Sequence, residues 1–241
     1  MLGSRVINLS ILVDFMGSGR RLGITHLEMS NFDVFVTYEK GLEDAVPLIQ
    51  EGIAKSEKLI SSKNDIAVML SANEDTFIRD RMDGVFGFTR KDFSISISIN
   101  TGSNSWKDFV AQTAVHEFNH TVRLQKMFGR ERSGIGVGIA FEGLAQCFEE
   151  AVTGQVRPWS KALDMEHARE VWQKIKDRLD DNSIDLYNRL FISSNDREFA
   201  LWSGYALGYL IIKERIKEYG NSADWERLMD TASESLISKG L

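Results

Sequence analysis

The segment AVHEFNHTVR, residues 114–123, constrains this chain more than any other. Two histidines stand four residues apart, with a glutamate directly after the first: His116, Glu117 and His120. Residues i and i+4 share one face of a helix. A helix here therefore aims both imidazoles at one point, where each can reach a zinc ion at about 2.0–2.1 Å. Glu117 falls about 100° round that helix, beside the metal rather than on it. There its carboxylate can take a proton from a water that zinc acidifies. Ala114, Val115, Phe118 and Val122 supply apolar packing positions, and no proline or glycine interrupts the run. The bland alternative is a core helix with two incidental histidines. Against it, the chain has only four histidines, and two of them fall in this pentad.

A hydrolytic zinc site takes three protein ligands and leaves one position open. Cys147 is the single cysteine, which leaves histidine and carboxylate as donors and excludes a disulfide framework. The extended pattern HExxHxxGxxH needs glycine at 123 and histidine at 126, but Arg123 and Lys126 stand there. His167 lies among polar neighbours in DMEHARE and reads as a solvated helix face. Glu142, in IAFEGLAQCFEE, is flanked by Phe141 and Gly143 in a mostly apolar segment. A carboxylate buried there needs a partner, and zinc would supply one. Glu149 and Glu150 are the runners-up, or else plain surface carboxylates.

Only Pro47 and Pro158 could interrupt long helices. Residues 6–15, 32–38, 65–70 and 84–89 read as strands. DFSISISIN, residues 92–100, has the cleanest alternation, with Phe93, Ile95, Ile97 and Ile99 opposite Ser94, Ser96 and Ser98. Helical spacing covers 41–61 and then, in succession, 105–128, 138–153, 161–180, 197–218 and 222–238. Strands followed by helices imply an α+β fold: a single domain over 1–241, with a small mixed or antiparallel sheet in 1–104 and a mainly helical part in 105–241. GSGRRLG (17–23) lacks the third glycine of a dinucleotide loop and reads as a turn. GRERSGIGVG (129–138) follows no strand and reads as a helix connection.

A net charge of −6 without a basic stripe gives no footprint for nucleic acid. No run approaches the roughly 20 apolar residues of a membrane span. VINLSILVDF (6–15) reads as a strand rather than a signal peptide. The default compartment is the cytoplasm.

HExxH followed by a glutamate in a second helix resembles the gluzincin metallopeptidases, and FEGLA around Glu142 resembles the NEG(F/L)A of their aminopeptidase branch. GVFGFT, AVHEFNHTVR, EGLAQCF and WSGYALGYLIIKE are together similar to a bacterial family known as predicted Zn-dependent proteases, formerly a domain of unknown function. That resemblance implies a zincin-like fold built on the HExxH helix, and one zinc ion on His116, His120 and Glu142. It implies Glu117 as general base and acid, and a peptide or protein substrate. It also points to Tyr205 or Tyr209 as the phenol that stabilises the oxyanion, although both tyrosines could simply pack, with Gly204 and Gly208 allowing close helix approach. Strand 92–100 would be the edge along which substrate lies, or equally an ordinary sheet strand. Gln146 would orient a ligand, while Arg123 and Arg215 are further anion-binding candidates or surface charges. The GxMEN motif of the aminopeptidase branch has no counterpart before His116. Two rival readings stay open: a zinc hydrolase of a non-peptide amide or ester, and a non-catalytic metal-binding regulator.

Overall fold

Alternating apolar residues before position 100 build one sheet. The computed structural model describes residues 22–218 and 223–241, so the expected strand 6–15 and most of the turn 17–23 lie outside the described residues. Two compact units result, one ending at Gln125 and the other running from Lys126 to Leu241. In the first, β1 (Leu22–Glu28), β2 (Asp33–Glu39), β3 (Ile66–Ala72), β4 (Val85–Thr89) and β5 (Ile95–Ile99) pair in the order β1-β2-β3-β5-β4. β2, β3 and β5 run parallel, while β1 and β4 are antiparallel to their neighbours. The sheet is mixed. Among the described residues, three helices accompany it: α1 (Ala45–Glu57), α2 (Thr76–Arg81) and α3 (Trp106–Met127).

Ile95, Ile97 and Ile99 are fully buried, each contributing on the order of 2 kcal/mol by leaving water. On β3 they lie across from Val68, Leu70 and Ala72, and on β4 from Thr89, Gly87 and Val85. α3 covers this face, as the contacts of Gly87 with Thr113 and Glu117 show. α1 approaches α3 where Gly52 faces the Ala111 carbonyl. On the opposite face Ser98 and Ser71 share a hydrogen bond, and Phe86 and Phe88 are exposed.

Two expectations need correction. Phe93 does not extend the strand: it sits at φ 67° in the turn between β4 and β5, where its N–H donates to Arg90. Nor is the 92–100 segment an edge, because β5 is paired on both sides; among the described residues the outer strands are β1 and β4. Leu22 and Gly23, read as turn, begin β1.

The second unit is helical throughout its described residues. It holds α4 (Ile135–Thr153), α5 (Met165–Ile175), α6 (Ile184–Phe191), α7 (Ser203–Glu218), α8 (Trp225–Asp230) and α9 (Ser233–Ile237), with 3-10 turns at Pro158–Lys161 and Lys176–Arg178. α4 begins three residues before the expected 138. The Ile135 and Gly136 N–H groups donate to the Asp181 and Leu179 carbonyls, so the glycine-rich loop docks on backbone. The expected helix 161–180 is broken, since Asp164 caps α5 at His167. α7 starts at Ser203 rather than 197, just after Trp202 turns to φ 67°. The expected helix 222–238 is interrupted at Thr231, where the chain becomes extended. α4 and α7 touch backbone to backbone: a Cβ on Gly143 would sit 2.3 Å from the Gly208 oxygen. Among the described residues, no helix is long and apolar enough to cross a membrane.

Candidate active site

In the first unit, the helical spacing read around residue 116 is realised in α3. Val110, Ala114, Val115, Phe118 and Val122 are buried along it, and Phe118 stacks on Phe32 at 5.7 Å. That packing sets the helix rotation and with it the direction of the polar residues between. His116 and His120 are each 9% exposed. Their rings stand nearly perpendicular with centroids 4.7 Å apart, and their ligand nitrogens lie within 4.8 Å of each other.

Glu117 is buried beside them. Thr89 Oγ1 lies 2.7 Å from Glu117 Oε2 and 3.0 Å from the Glu117 carbonyl oxygen, so its single proton is donated between two acceptors on one residue. Gly87, two residues earlier on β4, leaves the space that the Glu117 side chain fills. Neither Thr89 nor Gly87 was singled out in the sequence. The signal was present, a glycine and a threonine on one face of GVFGFT, but the facing helix could not be read from it.

In the second unit, Glu142 is half-buried on α4. Tyr187 of α6 is a neighbour that sequence reasoning missed: burial first, and then the Glu142 charge, push its hydroxyl up to about 12. Gln146 donates from Nε2 to the carbonyls of Glu142 and Tyr205, each at 3.0 Å, while Ser160 donates to its Oε1. It therefore ties the backbone of α4 to that of α7, rather than holding a carboxylate. Tyr205 meets Phe191 edge-on at 5.1 Å.

Tyr209 has a different role. Its hydroxyl donates to Glu150 Oε2 at 2.8 Å, and Lys213 grips both oxygens of the same carboxylate. Burial and Glu150 raise the Tyr209 hydroxyl further above its ordinary range. Glu150 is thus engaged by Tyr209 and Lys213, and Glu149 is buried against Arg157 at 2.5 Å. His167 is exposed, and its N–H and ring both contact Asp164, which raises its pKa. Arg123 and Arg215 are buried, correcting their reading as surface charges. Arg215 holds the Leu236 carbonyl and Glu218.

Residues 46–238 match the family model described as "Predicted Zn-dependent protease (DUF2268)". No curated protein matches the chain. Among solved structures, the chain resembles the crystal structure of an aminopeptidase N family protein from Idiomarina loihiensis, with a TM-score of 0.53 and 12% identity. The likeness covers 91% of this chain and 45% of that one, so the chain spans less than half the length of that protein.

Proposed function

Because the chain belongs to the family of predicted Zn-dependent proteases, we propose that it is a zinc-dependent metallopeptidase, with one zinc ion held by His116, His120 and Glu142. The observation that carries the reading is the first turn of chemistry on α3: two buried imidazoles on one face, and between them a carboxylate fixed by Thr89. Two imidazoles and one carboxylate are a donor set that zinc takes in hydrolytic sites. The reading takes 1–104 and 105–241 as the strand-bearing and helical parts of one zincin-like domain.

When bound, zinc polarises the scissile carbonyl and lowers the pKa of the attacking water. The chain supplies the rest. Glu117 accepts the proton of that water and passes it to the departing amine nitrogen. Tyr205 donates a hydrogen bond to the oxygen that gains charge; the Tyr209 hydroxyl donates to Glu150. β4, an outer strand among the described residues, adds an extended peptide through main-chain hydrogen bonds.

The test measures metal content and hydrolysis of a quenched-fluorescence peptide library together. Wild type should carry one equivalent of zinc and cleave peptides. His116→Ala and Glu142→Ala should lose the metal. Glu117→Gln should keep the metal and lose about 10²- to 10⁴-fold in kcat. Full zinc retention in Glu142→Ala would remove that residue from the ligand set. Turnover of small amides or esters with no peptide cleavage would transfer the site to the non-peptide reading.

A further inference from the structure

We propose that Thr89 and Gly87 are positioning residues that seat the Glu117 carboxylate from the edge strand, so that β4 aims the base as well as bordering the site. The inference rests on the reading of Glu117 as general base and deepens it.

Three observations on the first unit carry it. Thr89 Oγ1 reaches both Glu117 Oε2, at 2.7 Å, and the Glu117 carbonyl oxygen, at 3.0 Å. A hydroxyl that bonds the carboxylate and the main chain of one residue fixes the side chain relative to its own helix. Gly87 is the second. A Cβ there would lie 2.5 Å from Glu117 Oε1 and 2.6 Å from Glu117 Cγ. No left-handed φ accounts for this glycine, and a glycine inside a strand otherwise weakens it. Close approach of α3, by the Glu117 side chain and by Thr113 Cγ2 at 2.6 Å, is the reason the structure offers. The third is placement. Thr89 and Gly87 are two apart on β4, hence on one face, and they pair with Ile95 and Ile97, both fully buried. Groups mounted on a paired strand hold position better than groups on a loop. A general base must stay within hydrogen-bond reach of the proton it takes, and a free glutamate has rotamers that do not.

The experiment compares Thr89→Val, Thr89→Ser and Gly87→Ala in the full chain, with Glu117→Gln as reference. It reads kcat and KM on the peptide library, zinc per chain and the melting temperature. Thr89→Val keeps the branched shape and removes the donor; Gly87→Ala adds one methyl group against the carboxylate. Both should lower kcat about 10- to 100-fold, as loss of outer partners at metal sites does, with KM and zinc content unchanged. Thr89→Val should melt as wild type does, and Gly87→Ala, which also meets Thr113 Cγ2 at 2.6 Å, somewhat lower but still cooperatively. Thr89→Ser should return kcat to within about threefold of wild type by restoring the hydroxyl. Wild-type kcat in Thr89→Val would overturn the proposal. So would zinc or cooperative melting lost together with activity in both variants, because the contact would then serve the fold alone. Full activity in Glu117→Gln would instead bring down the general-base reading, and this inference with it.

Discussion

Tyr205 and Tyr209 stand one turn apart on α7 and face different demands. The Tyr209 hydroxyl spends its proton on Glu150, whose charge Lys213 also holds, and such a donor has little left for a developing oxyanion. Tyr205 packs its ring edge-on against Phe191, and Gln146 fixes its backbone carbonyl. On the proposed reading, Tyr205→Phe should lower kcat about 10²- to 10³-fold, the cost of one oxyanion donor, with zinc content unchanged. Tyr209→Phe should leave kcat within about threefold and cost about 1 kcal/mol of stability, one hydrogen bond to a half-exposed carboxylate. Steady-state kinetics and denaturant melts on the two variants separate the roles, and wild-type kcat in Tyr205→Phe sinks the assignment. In the sequence the tyrosines are indistinguishable, because the glutamate that engages one of them lies 59 positions away. The Thr89–Glu117 pair, 28 positions apart, was hidden for the same reason. His116, Glu117 and His120 needed no distant partner to be noticed, since helical periodicity alone groups them.

The crossing of α4 and α7 depends on two glycines. A Cβ on Gly208 would lie 2.3 Å from the Ile139 carbonyl oxygen, and one on Gly143 would lie 2.3 Å from the Gly208 oxygen. Both obstacles are backbone, which cannot rotate aside. Gly208→Ala should push the helices apart at a cost of about 1–3 kcal/mol. For a chain of this length, that lowers the melting temperature by roughly 2–4 °C per kcal/mol. The displacement also stretches the Gln146 bonds to Glu142 and Tyr205, so kcat should fall beyond what unfolding explains. An unchanged melt would refute the close crossing. The close approach at Gly204 and Gly208 was legible, because small residues four apart on a helix suggest it. So were α3 and the β5 alternation, where the period is long and regular. β1 and α6 were not read, although Ser183 caps α6 and Leu186 and Leu190 lie on one of its faces. Whether 92–100 is an edge or an interior strand was not legible, because the partners on both sides of β5 come from β3 and β4, and strand order is not a local property.

Residues 46–238 match one family model, and that span takes in the strands β3 to β5 as well as the helices of the second unit. On the proposed reading, the ligands His116 and His120 come from α3 and Glu142 from α4. None of the three can be supplied by the sheet. A metal that binds the folded chain and not the unfolded one stabilises it by mass action, about 2.7 kcal/mol when free zinc is 100-fold above its Kd. For a chain of this length that is a rise of roughly 5–10 °C in melting temperature. Removing zinc with 1,10-phenanthroline should lower the melt by that amount and abolish peptide cleavage, and one equivalent of zinc should restore both. His116→Ala should melt at the same temperature with or without zinc, which separates the ligand effect from non-specific metal binding. The two readouts also divide the rival readings. A metal-binding regulator predicts the zinc-dependent melt with no turnover in any digest, whereas a peptidase predicts that the two recover together along one zinc titration. Chelation that changes neither the melt nor the cleavage would leave α3 a core helix with two incidental histidines.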